Sequence, residues 1–301
     1  MGTEQFTDTR TGPRPPGPSP ESDDPLRATL RGMWSAVSGS WVEHADYVDR
    51  RQAGVVERML HLTAPGPGMR VLELACGPGG LGLAAAPRVL PGGDVVLSDV
   101  VAEMTAIAAC RAAELGLAHV ATTELDLEHI TEPDRSYDVV LCRDGLMFTP
   151  DPSRAAREIG RVLRPGGRVA LTVWGPRDRN PWLGLVFDGV GATLARPVPP
   201  PGVPGPFALS DADHLASLFT DAGLVDVEVE EVAVPVRAPS FETWWTTTST
   251  LAGPLAMILH QMSPDALQAL RSRLEHDVED YRIPAGLELP GVTLLLSARR
   301  P

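Results

Sequence analysis

The chain has 301 residues, 43% of them hydrophobic, and a formal net charge of −13, so it is long enough for one large domain or two small ones around a buried core. That acidic balance repels phosphate backbones and anionic lipid, and neither nucleic acid nor a membrane surface is an expected partner. All 26 basic residues are arginine, which excludes Schiff-base chemistry, a phosphate-loop lysine and a lysine general base.

Residues 1–25 are expected to form a disordered tail, because TGPRPPGPSPESDDP (11–25) is rich in proline and acid and shows no apolar periodicity. Residues 26–66 read as two leading helices, with Trp34, Val37 and Trp41 and then Val55, Val56, Met59 and Leu60 at helical spacing. From there β-branched runs alternate with helical ones, the pattern of a parallel sheet covered on both faces. The predicted strands are 70–75, 93–99, 121–126, 137–143 and 167–174, and RPGG (164–167) reads as the turn that feeds the last of them. After Trp174 come a helix in NPWLGLVFDGVGATLAR, a stiff proline loop, and a helix in SDADHLASLFTDAGL with Ser210 as its N-cap. A strand over 225–236, a helical insertion over about 240–285 and a final strand over 291–299 complete the chain. The architecture expected is α/β: a doubly wound, Rossmann-like seven-stranded sheet, its last strand antiparallel, with a core from 67–180, a C-terminal part from 181–301 and a helical lid from both flanks.

Cys76, Cys110 and Cys142 are odd in number, far apart and set among apolar residues, so they read as reduced, buried thiols. The first residues are polar and no run approaches the roughly 18 apolar residues of a membrane span. A cytoplasmic protein is expected.

VLELACGPGGLG (71–82) contains Gly77, Gly79 and Gly82 as G-x-G-x-x-G after the first strand, where glycines let the backbone approach a ligand. Asp99 ends the second strand at the distance from Gly79 at which an acid meets both hydroxyls of an adenosine ribose. Glu73, just upstream of the loop, opposes an anionic pyrophosphate and suits the ammonium and sulfonium of S-adenosylmethionine.

Together with LSDVVAEM, ELDLEHI, YDVVLCRDGLMFTPD and REIGRVLRPGGRVALTVW, this loop gives residues 68–175 the motif order of a family. The chain resembles the class I S-adenosylmethionine-dependent methyltransferases, in the branch of ubiquinone and menaquinone biosynthesis. The resemblance implies that Glu73, Ala75, Gly77 and Gly79 line the methionine end of the cofactor and that Asp99 holds its ribose. Val100 and Met104 would enclose the adenine, Asp126 and Leu127 would meet its amino edge, and Cys142 and Arg143 would wall the methionine portion.

Ligands of open α/β sheets lie beyond the carboxyl ends of the strands, so the substrate belongs under the covering segments. The six tryptophans, Trp34, Trp41, Trp174, Trp182, Trp244 and Trp245, lie in or beside those segments and predict an apolar pocket. Trp34, Trp41, Trp174, Trp244 and Trp245 are its expected walls, with Met147. Asp144, just past the fourth strand, is the first choice for a general base, and His44 and His260 in the covering segments are the others. No metal-ligand spacing occurs, and no metal is expected. The resemblance thus implies methyl transfer to a small, largely apolar molecule, in keeping with bacterial secondary metabolism. Two alternatives stand beside it: a methyltransferase fold that binds the cofactor yet performs a non-methylating step such as polyketide cyclisation, and, further off, a nicotinamide-dependent reductase or a non-catalytic binding protein.

Overall fold

A computed structural model describes residues 24–200 and 202–301; most of the expected tail, residues 1–23, lies outside the described residues. Helix α1 (Pro25–Ala36) starts where the Asp24 side chain accepts a hydrogen bond from the Leu26 amide and proline takes the first helical position. Only Val37 separates it from α2 (Ser38–Thr63), which stops at Ala64 in a left-handed conformation, φ 46°.

The alternation that follows is β1 (Arg70–Leu74), α3 (Gly80–Ala85), β2 (Asp94–Asp99), α4 (Ala102–Glu114), β3 (Val120–Glu124), β4 (Tyr137–Arg143), α5 (Pro152–Val162) and β5 (Leu163–Trp174). Next come α6 (Pro181–Leu194), α7 (Ala212–Asp221) and β6 (Val225–Ala233), then β7 (Val236–Ala238), α8 (Phe241–Leu251), α9 (Gly253–His260) and α10 (Pro264–Asp277). The short strands β8 (Arg282–Ile283) and β9 (Gly286–Leu289) precede the last strand, β10 (Val292–Arg299). Seven strands form the main sheet in the order β3-β2-β1-β4-β5-β10-β6. The first five pair in parallel, and β10 is antiparallel to both its neighbours.

The order reverses between β1 and β4, so the chain leaves these adjacent strands in opposite directions and opens a crevice beyond their carboxyl ends. Central strands such as β4 are buried along most of their length, which is why they read as continuous apolar runs.

Four local expectations are corrected. The strand expected over 225–236 is two: Pro235 has no amide to give a ladder, β6 stops at Ala233, and Val236–Ala238 crosses to pair with β9. The end of the expected helical insertion is a β8–β9 hairpin, which completes a second, three-stranded sheet, β7-β9-β8. The N-cap of α7 is Asp211, whose side chain accepts from the His214 amide, in place of Ser210. Cys110 is exposed on α4, while Cys76 and Cys142 are buried. Among the described residues no helix is long and apolar enough to cross a membrane.

Candidate active site

The glycine loop follows β1 with Ala75, Gly77 and Gly79 all at positive φ (48°, 51° and 81°), a left-handed conformation that the two glycines, unlike Ala75, adopt without strain. Its position is fixed from two sides. One Asp99 carboxylate oxygen accepts from the Gly77 amide at 2.9 Å and the other from the Val101 amide at 3.1 Å. Burial pushes the Asp99 carboxyl up to about 6 against the pull of those amides. Beneath the loop, the buried Glu73 carboxylate accepts from the Gly82 amide at 2.8 Å, and burial raises its pKa to about 8 while Arg143 and the Gly82 amide oppose the rise. A Cβ at position 82 would sit 2.6 Å from that carboxylate and collide with Leu97. The third glycine of the fingerprint is therefore required by the packing of Glu73 and Leu97.

Helix α2 is tied down over this loop. Asp49 accepts from Arg111 at 2.7 Å and from Arg143 at 3.3 Å. Arg143 keeps its other terminal nitrogen, Nη1, buried and without a partner among the described residues. At the far side, Arg27 of α1 donates to Asp126 at 2.8 Å and also to Glu128, while Glu128 accepts from the Asp151 amide at 3.0 Å. The leading helix is thereby latched to the loop after β3.

Beyond β4 and β5 the walls become aromatic. Trp34 packs edge-on to Phe148 and Trp41, with ring centres 4.8 and 6.3 Å away, and Trp174 packs on Trp182 at 5.0 Å. The Arg51 guanidinium lies 4.2 Å from the Trp182 ring centre and 5.1 Å from that of Trp174. Asp144 follows β4 at φ 57°. Its carboxylate accepts from the Thr172 hydroxyl at 2.8 Å and from the Gln52 amide at 2.5 Å. Burial raises the Asp144 pKa, opposed by the Thr172 hydrogen bond and the Arg143 charge. The carbonyl oxygen of Gln52, Oε1, is buried without a partner among the described residues. Both regions border one cavity of about 1590 Å³, measured with the open solvent it contains.

A family described as "Methyltransferase domain" matches residues 71–167. Nocamycin O-methyltransferase of Saccharothrix syringae is 30% identical over 235 residues, covering 74% of this chain and 82% of that protein. The chain belongs to the class I S-adenosylmethionine-dependent methyltransferases. A ubiquinone/menaquinone biosynthesis C-methyltransferase of Ectopseudomonas mendocina is 35% identical over 130 residues, 43% of this chain and 50% of the relative, so the chain spans about half of that protein. In fold, the YcgJ protein of Bacillus subtilis matches with a TM-score of 0.56 at 20% identity, covering 81% of this chain and 97% of that one.

The cofactor of this methyltransferase is S-adenosylmethionine, and the cavity has groups that fit it. An orphaned Arg143 nitrogen suits a carboxylate, an orphaned Gln52 oxygen suits an ammonium, and an added Cβ at Gly77 would meet nothing within 4 Å. Of the expected cofactor residues, Ala75, Gly77, Asp99, Val100 and Met104 border the cavity, as do Asp126, Leu127 and Arg143. Glu73, Gly79 and Cys142 lie behind its wall: Glu73 reaches back under α3, Gly79 faces Leu97 and Ala108, and Cys142 lies beneath Gly145. Burial takes the Cys142 thiol up to about 12.

Among the expected substrate and catalytic residues of the methyltransferase, Trp34, Trp41, Trp174, Met147 and Asp144 border the cavity. Trp244 stands behind Trp182, donating its indole N–H to the Trp182 carbonyl at 3.1 Å, and Trp245 packs under Arg271. His44 bonds the Ser40 carbonyl within its own helix at 2.9 Å, and His260 is exposed at the end of α9; neither borders the cavity.

Sequence reasoning missed Arg27, Arg31, Tyr47, Arg51 and Gln52, all cavity-lining residues of the two leading helices. One signal was readable for Gln52: it interrupts the stripe Ala45, Val55, Val56 and Met59, so α2 carries an amide on its buried face.

Proposed function

We propose that this methyltransferase moves the methyl of S-adenosylmethionine to an oxygen of a small, largely apolar organic molecule held in the tryptophan-walled end of the cavity, in bacterial secondary metabolism. The observation that carries the reading is the continuity of the cavity from Asp99 and Gly77 to Trp34 and Trp174. Oxygen as the acceptor atom is supported by the similarity to an O-methyltransferase.

In this reading Asp99 takes the ribose hydroxyls with the lone pairs that Gly77 and Val101 leave free, and Val100 and Met104 enclose the adenine beside Asp126 and Leu127. Ala75, Gly77 and the Arg143 Nη1 hold the methionine carboxylate end, and Gln52 Oε1 accepts from the ammonium. S-adenosylmethionine, when bound, supplies an electrophilic methyl. Alignment is the main contribution of the chain, and a well-oriented neighbour reaches effective concentrations on the order of 10^5 M or more.

Asp144 takes the proton of the acceptor hydroxyl. Burial raises its pKa and so its basicity, and Thr172 and Gln52 hold its carboxylate in place. Asp144 would hold the proton that the acceptor hydroxyl gives up.

The test is incubation of the protein and S-adenosylmethionine with a panel of aromatic and polyketide-type hydroxy compounds, read by mass spectrometry. A gain of one methylene unit together with S-adenosylhomocysteine supports methyl transfer. A rearranged product of unchanged mass, with no cofactor consumed, refutes it in favour of a cyclase.

A further inference from the structure

Arg51 is a half-buried cation without a full set of partners among the described residues. Its Nε is buried and unpartnered, and its hydrogen bond to the Val234 carbonyl is long, 3.4 Å. Among the described residues no carboxylate pairs with it directly: Tyr47 and Asp144 act on it only through space, and the Asp144 oxygens accept from Thr172 and Gln52. Burial lowers its pKa to about 10, so it still carries its charge at neutral pH. Trp174 and Trp182 hold the guanidinium. A flat cation on aromatic faces retains in-plane N–H donors, which match a planar oxyanion.

The position of Arg51 separates it from the cofactor. Asp99 ends β2 and Arg143 ends β4, two strands along in the sheet order. Arg51 is stacked beyond the end of β5, on Trp174, one strand further. The methionine carboxylate has Arg143 at the nearer end. A half-buried cation at the farther end, short of partners among the described residues, is stabilised by an anion that completes it.

We infer that the acceptor carries a delocalised oxyanion, such as a carboxylate, that docks on the Arg51 guanidinium and anchors the molecule in the tryptophan-walled end of the cavity. The inference rests on the reading of that end as the acceptor site, and it narrows the substrate class from apolar to apolar with one acidic group.

The test uses two fluorescent probes, 1-anilinonaphthalene-8-sulfonate and N-phenyl-1-naphthylamine, which share their rings and differ by the sulfonate. Each is titrated into protein saturated with S-adenosylhomocysteine. The wild-type protein is expected to bind the sulfonate about tenfold more tightly than the neutral probe, and Arg51→Gln to lose that advantage. Arg51→Lys keeps the charge without the planar fork and is expected to recover part of it. The neutral probe and S-adenosylhomocysteine should bind all three proteins alike, which also reports that the variants are folded. Equal binding of the two probes by wild type, equal loss of both in Arg51→Gln, or undiminished sulfonate binding by Arg51→Gln overturns the inference. So does a loss of S-adenosylhomocysteine affinity in Arg51→Gln, because the guanidinium then serves the cofactor. Failure of the methyl-transfer reading shows separately, as an absence of S-adenosylhomocysteine formation across the acceptor panel.

Discussion

Under the proposed function the cavity has a cofactor end and an acceptor end, and the wall of the first comes from residues 75–77, 99–104 and 126–127, short stretches that follow three successive parallel strands. The acceptor end takes Trp34 and Arg51 from the leading helices, Asp144 and Met147 from the turn after β4, and Trp174 and Trp182 from the end of β5 and the start of α6. The first wall combines the turn at Ala75 and Gly77 with residues next to strand ends, Asp99, Val100, Met104, Asp126 and Leu127. The second brings aromatic and charged residues together across some 150 residues of sequence by helix packing. Backbone turns tolerate change in distant segments, whereas a wall of packed rings depends on what stands behind each ring.

The largest expected effect tests that dependence. Trp244 is fully buried behind Trp182, and Trp244→Ala should cost about 3–5 kcal/mol of stability. Thermal unfolding measures the loss. Calorimetry on the folded variant should find S-adenosylmethionine affinity unchanged and acceptor affinity reduced; equal losses of both would erase the distinction between the ends.

Next comes Asp144→Asn, which keeps the shape of the side chain and removes its basicity. Turnover should fall about 10^2-fold while cofactor affinity holds. Full-rate methylation by this variant would make Asp144 a structural acid that fastens Thr172 and Gln52.

Asp99→Ala reverses the pattern. Loss of a charged acceptor should weaken cofactor binding by roughly ten- to a hundredfold. Unchanged affinity in a folded variant would place the ribose elsewhere.

The smallest effect is a pH slope. Burial holds the Glu73 carboxyl at about 8 in the folded chain, against roughly 4.3 when unfolded. The folded state then binds the proton more tightly, so this stabilisation is complete below about pH 4 and is lost as pH climbs through about 8. Glu73→Gln removes the titration, and its Tm should fall less than that of wild type between pH 5 and 8. Parallel curves would show that Glu73 stays ionised under α3.

The sheet was legible because its signals are local: apolar runs of strand length, glycines that punctuate them, and Asp99 at a strand end. The small second sheet was not, since Arg282–Ile283 is two residues long and carries no period. The same boundary divides the site. That Asp99, Gly77 and Asp126 border one crevice follows from parallel strands all ending on one edge of a sheet, and the sequence determines that much. Whether Glu73 points into the crevice or back to the Gly82 amide, and whether Trp244 lines the pocket or stands behind Trp182, was decided only by tertiary packing. So was the arrival of Arg51 between two tryptophans. A helix sequence specifies which residues share a face, but what that face meets is set by helices and loops far along the chain, and those contacts have no period to read.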